Sequence, residues 1–108
     1  MPFSFNAANN QALNQVVTSN TITLTGSGFT GGTLTLTGHS SAQYKINNGS
    51  YQTGSASVIA GDTVTLQITS ASTQNTTRSA TVTVRNVSAT FSVTTYTSGS
   101  PPGGGGNP

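Results

Sequence analysis

"RSATVTVRNVSATFSVTT", residues 78–95, carries the reading of the fold. Ala80, Val82 and Val84 alternate with Thr81, Thr83 and Arg85; after a short break Ala89, Phe91 and Val93 alternate with Thr90, Ser92 and Thr94. Period-two alternation of this kind marks strands with one face in a core and the other outside. The break between them sets the register. A turn at Arg85-Asn86 pairs Val84 with Val87, whereas a turn at Asn86-Val87 pairs Val84 with Ala89. The two pairings differ by two residues, so both keep the same face inward. Asn tolerates a positive φ and a β-branched Val does not, so the first is favoured.

Working outward, every convincing segment has the same period. Phe3 and Phe5 in "FSF" form a short first strand, followed by a polar connection, "NQALNQVV". "NTITLTG" puts Ile22 and Leu24 on one face, and "TLTLTG" does the same for Leu34 and Leu36. In "AQYKINNGSYQT", Tyr44 and Ile46 alternate before Asn48-Gly49, a dipeptide suited to a type I′ hairpin turn. Gly61-Asp62 turns the chain into "TVTLQIT", with Val64, Leu66 and Ile68 inward. There is no helical signal. Short strands at spacings of roughly 8 to 12 residues predict an all-β, antiparallel sandwich of about seven strands over residues 1–95. Its expected core is Phe5, Ile22, Leu24, Leu36, Tyr44, Ile46, Val64, Leu66, Ile68, Val82, Val84, Phe91 and Val93. From Tyr96 to Pro108 the composition turns to Pro and Gly, "SPPGGGGNP", which is an extended tail or arm outside the core.

Composition narrows the function. The 108 residues suffice for one domain. Charged residues make up 4% of the chain, against roughly 25% in ordinary domains. A third of the residues are Ser or Thr, which biases the chain toward strands rather than disorder. The formal charge of +2 rests on Lys45, Arg78, Arg85 and Asp62, so there is no basic patch for nucleic acid. No cysteine is present, and no apolar run reaches membrane-spanning length. "MPFSFNAANN" lacks the basic and apolar regions of an export signal, which places a chain starting at Met1 in a cytoplasm.

The stretch from Tyr44 to Thr95 resembles a bacterial or phage immunoglobulin-like, or fibronectin type III-like, repeat. "YKINNGSY" (Tyr44, Ile46, Asn47, Gly49, Tyr51), "GDTVT" (Gly61 to Thr65) and "TFSVTT" (Thr90 to Thr95) carry the likeness, and "VVTSNTITLTG" (Val16 to Gly26) extends it. Arg85-Asn86 and the Ser/Thr stretch at 69–77 depart from it. The resemblance implies a scaffold with no shared catalytic or metal residues.

Candidate chemistry is sparse. His39, Asp62 and a serine are the ingredients of a triad, but Asp62 falls in a Gly-Asp hairpin turn that its own side chain can cap, and His39 in a Gly-His-Ser-Ser loop. One carboxylate does not make a calcium site, and zinc ligands are lacking. The reading is therefore no enzyme, no metal and no cofactor. Tyr44 and Tyr51 can stack on sugars, although cross-strand packing accounts for them. Lys45, Arg78 and Arg85 are scattered, with solvation or steering toward an acidic partner as their uses.

The expected function is that of a structural module bound to the capsid or tail lattice of a phage virion, contacting copies of itself and a larger assembly but neither nucleic acid nor membrane. Tyr96, Pro101, Pro102, Gly103, Gly104 and Pro108 of the arm are its expected contact residues. Two alternatives stand beside it: a repeat from a bacterial surface adhesin or filament, and a carbohydrate-binding module meeting host surface glycans.

Overall fold

The computed structural model describes residues 4–26 and 28–97. They form nine strands and no helix: β1 (Ala8–Gln11), β2 (Val16–Thr18), β3 (Ile22–Thr23), β4 (Gly31–Gly38), β5 (Gln43–Ile46), β6 (Ala56–Ile59), β7 (Thr63–Thr69), β8 (Thr77–Val84) and β9 (Val87–Thr95). One sheet runs β1-β9-β8-β4-β6, and in the other β7 is flanked by β2 and β3 on one side and by β5 on the other. All pairings are antiparallel except β1 with β9.

The β8–β9 hairpin has the favoured register, Val84 opposite Val87. The positive φ falls on Arg85 (58°) and not on Asn86, as in a turn whose first central residue is left-handed. β4 joins on the other side of β8, with Leu34 opposite Val84 and Leu36 opposite Val82. It ends at Gly38, whose φ is 126° and where a Cβ would sit 2.4 Å from the Ser79 carbonyl oxygen. Only glycine fits that crossing.

β2 and β3 are one strand interrupted by a bulge. Thr18 pairs with Gln67 and Ile22 with Val64, so four residues on one side oppose three on the other. Ser19 fills the break: its N–H donates to the Leu66 carbonyl, and its hydroxyl accepts the Leu66 N–H, both at 2.8 Å. The extra residue lets Val17 and Ile22, five positions apart, both face the core.

The core takes Phe5, Ile22, Leu24, Tyr44, Val64, Leu66, Ile68, Val82, Val84, Phe91 and Val93, as expected. Leu36 and Ile46 are only partly buried, and Leu34, Phe29, Val58, Ala42, Ala80 and Ala89 complete it. Leu36 lies at the open end of the sandwich, on a cleft of about 310 Å³ that it shares with His39, Ala42, Thr53 and Gly54.

Four expectations change. Nine strands form where about seven were expected, the bulge dividing one of them into β2 and β3. The first strand is not "FSF": Phe3 lies outside the described residues, Phe5 is buried without belonging to a strand, and β1 begins at Ala8. The connection read as "NQALNQVV" contains the end of β1 and the start of β2. No I′ hairpin forms at Asn48-Gly49. The turn instead spans Ile46 to Gly49, closed by the Gly49 N–H on the Ile46 carbonyl at 3.0 Å, with Asn47 at φ 55°. Beyond it only Gln52 reaches back, bridging Tyr44.

Phe91 is 1% exposed at the centre of this packing. Phe91→Ala is expected to cost about 3–5 kcal/mol, read by denaturant unfolding; a loss below about 1 kcal/mol would contradict its central position.

Candidate functional site

The chemically capable side chains are built into the ends of strands. His39 sits in the β4–β5 turn, where its Nδ1 accepts the Ser41 N–H at 3.0 Å and lies 2.8 Å from the Ser41 hydroxyl. The same hydroxyl accepts the Thr69 N–H at 3.1 Å, tying the turn to the end of β7.

Asp62 closes the β6–β7 turn. Its N–H donates to the Ile59 carbonyl at 3.1 Å, and its Oδ2 accepts the Ile59 N–H at 2.9 Å. Oδ1 accepts from Asn47 Nδ2 at 3.0 Å, while Asn47 Oδ1 accepts the Thr63 N–H at 3.0 Å. Gly61, with φ 96°, supplies the left-handed residue of this turn. β6 and β7 belong to different sheets, so Gly61-Asp62 makes a crossover and not a hairpin. The Ile59 N–H, followed by the Asn47 amide, holds the Asp62 carboxyl below its ordinary range.

Arg78 and Arg85 are not solvated spectators. Arg78 lies on the inward-facing side of β8, and its Nη1 donates to the Thr69 and Ser70 carbonyls at 3.2 and 3.3 Å, joining the two sheets at one end. Arg85 donates to the Gly31 carbonyl at 2.7 Å. The His39 N–H on Ser79 and the Ala60 N–H on Thr30 fix the parity of the β4 ladders, which directs that Gly31 carbonyl toward the β8 side. There the hairpin has already turned away, and the guanidinium takes its place. Lys45, among the described residues, meets no backbone group: its ammonium lies 5.3 Å from the centroid of the Tyr51 ring.

Buried hydroxyls do similar work. Ser70 donates to the Ala12 carbonyl at 2.6 Å and accepts the Gln15 N–H at 2.9 Å, fastening the β1–β2 connection. Thr95 donates to the Thr73 carbonyl at 2.7 Å and accepts the Thr76 N–H at 3.0 Å, fastening the β7–β8 connection.

The aromatic candidates part company. Tyr44 is buried, its hydroxyl donating to the Gly54 carbonyl at 2.9 Å, and burial raises its pKa. Tyr51 remains half-exposed under Lys45, so the two rings form no shared platform. Tyr96 of the arm is 7% exposed, with its N–H on the Gln11 carbonyl and its own carbonyl accepting from Asn75. Its ring therefore packs into the domain and is not displayed for a partner. Pro101, Pro102, Gly103, Gly104 and Pro108 lie outside the described residues. Among the described residues no group of three or more His, Cys, Asp or Glu gathers as a metal site, and no helix is long and apolar enough to cross a membrane.

What the sheets display is hydroxyl. On the outer face of β8 and β9, Thr77 meets Thr94 at 2.8 Å, Thr81 meets Thr90 at 2.9 Å and Thr83 meets Ser88 at 2.8 Å. Thr35 and Thr37 of β4 stand beside Thr83 and Thr81 and extend the ranks. Comparison of the chain with protein-family models, with curated proteins and with solved structures finds no match.

Two outcomes test this site. Asp62 is the only side-chain carboxylate in the molecule. Because its folded pKa is lowered, its contribution is complete above the unfolded pKa and is lost as pH falls through the folded one. The difference in stability between wild type and Asp62→Asn should therefore be constant at neutral pH and shrink on acidification through that window, measured by urea unfolding in a pH series. Ser70→Ala strands the Gln15 N–H and should cost about 1–3 kcal/mol, with amide exchange accelerating at Gln15.

Proposed function

We propose that this chain is a non-enzymatic structural module of the immunoglobulin-like class, serving as an accessory protein on the capsid or tail lattice of a phage particle. Strand pairing supports the class. β4, β8 and β9 lie together as C, F and G do in an immunoglobulin sandwich, while β2–β3 and β7 face them as B and E. The variation is between them: the chain visits β7's sheet as β5 before returning to β4 as β6, so a crossover strand precedes the edge strand.

One observation carries the structural role. The outer face of β4, β8 and β9 is uncharged, and three of the four hydroxyl pairs that face each other across β8 and β9 are hydrogen-bonded. Burying an unpaired charge is costly, and burying a hydroxyl that keeps its partner is much less so. Such a face can press against a neighbour without stranding a charge and without like-charge repulsion between copies. Arg78, Arg85, Asp62 and His39 are meanwhile committed to holding the fold.

The parallel β1–β9 pair favours a second reading, a repeat of a bacterial surface adhesin or filament. The chain enters along β1 and leaves along β9 in one direction, which suits modules strung end to end.

The test is composition of purified particles. Phage grown on the host that carries this sequence should contain the chain at a fixed ratio to the major capsid or tail protein, read by quantitative mass spectrometry. Thr83→Lys should fold yet lower that ratio severalfold, and deletion of residues 98–108 should lower it as well. Particles free of the chain, with the chain recovered from cell envelopes, would favour the adhesin reading.

A further inference from the structure

Three of the four sheet margins are closed. β1 is kinked by Asn10 at φ 59° and its pairing with β9 shifts register. The β2–β3 margin carries the bulge, and Asn20 there holds the Asn6 N–H at 2.8 Å. β5 is bridged by Gln52. Bulges and covering segments are the ordinary means of keeping an edge from pairing with another chain.

β6 has neither. Its sequence, Ala56-Ser57-Val58-Ile59, contains no charge and no proline, and Ile59 is 63% exposed. Pairing parity determines which backbone groups look outward. Ala60 donates to the Thr30 carbonyl, so Val58 with Gly32 and Ala56 with Leu34 are the hydrogen-bonded pairs. The N–H and C=O of Ser57 and Ile59 therefore point away from β4. No group among the described residues meets those of Ser57. Those of Ile59 are both taken by Asp62, the N–H by the carboxylate and the C=O by the Asp62 N–H. The molecule's one acid thus stands where the edge would otherwise be open.

We propose that the β6 edge is a self-association surface, on which two copies pair antiparallel about a twofold axis at Ser57, and that Asp62 restrains this pairing. In that arrangement Ser57 exchanges both hydrogen bonds with Ser57 of the second copy, and Ile59 faces Ser55. The two five-stranded sheets become one. A twofold pairing sets every residue near its own kind, so a charged edge would repel itself, whereas this one is neutral along its length. Asp62 opposes the pairing twice: its carboxylate occupies the Ile59 N–H that the Ser55 carbonyl would need, and its charge repels that carbonyl. The surface does not depend on the chain being a virion component.

Asp62→Ala provides the test, with the full chain followed by sedimentation velocity over a concentration series at neutral pH. The variant should dimerise about tenfold more tightly than wild type. The register is read independently, because the chain has no cysteine of its own. Paired residues on the axis have Cα atoms about 5.5 Å apart, within disulfide reach. Ser57→Cys in the Asp62→Ala background should form a disulfide-linked dimer at least about tenfold faster than Thr35→Cys in the same background, Thr35 lying mid-face on β4. Circular dichroism checks folding, and Asp62→Leu, which likewise carries no side-chain acceptor for the Ile59 N–H, replaces Asp62→Ala in both measurements if the alanine variant does not fold. A variant no more associative than wild type, or Thr35→Cys linking as fast as Ser57→Cys, would overturn the proposal.

Discussion

A ladder of hydrogen bonds has to stop somewhere, and at each stop it leaves backbone donors and acceptors that the next strand no longer reaches. Left unpaired and out of water, each costs free energy comparable to a lost hydrogen bond. This sandwich is organised around those stops. Arg85 takes the carbonyl of Gly31 past the end of the β8–β9 hairpin, Arg78 takes those of Thr69 and Ser70 where β7 ends, and Asp62 closes Ile59 where β6 ends. Ser19, Ser70 and Thr95 do the same with hydroxyls inside the structure. A chain with so few charges has placed three of its four at strand ends, where a charge-assisted bond is strong and where only one long or acidic side chain reaches.

That economy explains the surface. With the charged groups drawn into the frame, the sheet faces are left to threonine, which favours the extended backbone and can satisfy its hydroxyl against the threonine opposite. The ranks on β8 and β9 are therefore a consequence of strand pairing and also the feature a neighbour would meet. Colloidal repulsion is weak for such a molecule, so control of association falls to the edges. There the kink in β1, the bulge in β2–β3 and the bridge on β5 act locally.

The parts legible in the sequence are those governed by neighbours along the chain. The alternation over residues 78–95 gave facing and register together, because a two-residue hairpin leaves few choices. Val64, Leu66 and Ile68 were equally plain. Less was legible wherever a distant partner decides. Leu34 and Leu36 share a face and look equivalent, but one lies mid-sandwich and the other at the open end. "YKINNGSY" reads as a hairpin until Asn47 binds Thr63 and Asp62, sixteen and fifteen residues away, and moves the turn by one position. Arg85 and Gly31 are 54 residues apart, and nothing local announces that bond. The glycine pair at 31–32 is the one visible trace: a Cβ on Gly32 would lie 2.9 Å from the Arg85 side chain that crosses it.

The parallel pairing of β1 with β9 has a mechanical meaning. Tension applied between the two ends of the domain draws β1 and β9 past each other along their length, so their hydrogen bonds bear load together. An antiparallel terminal pair pulled from one end would open like a zipper, one bond at a time. Loss of the shear-loaded pair under force is governed by the height of an unfolding barrier and not by equilibrium stability. The short β1, with its bond from the Tyr96 N–H to Gln11 beyond the last paired residues, is thus a tie that such tension loads in shear.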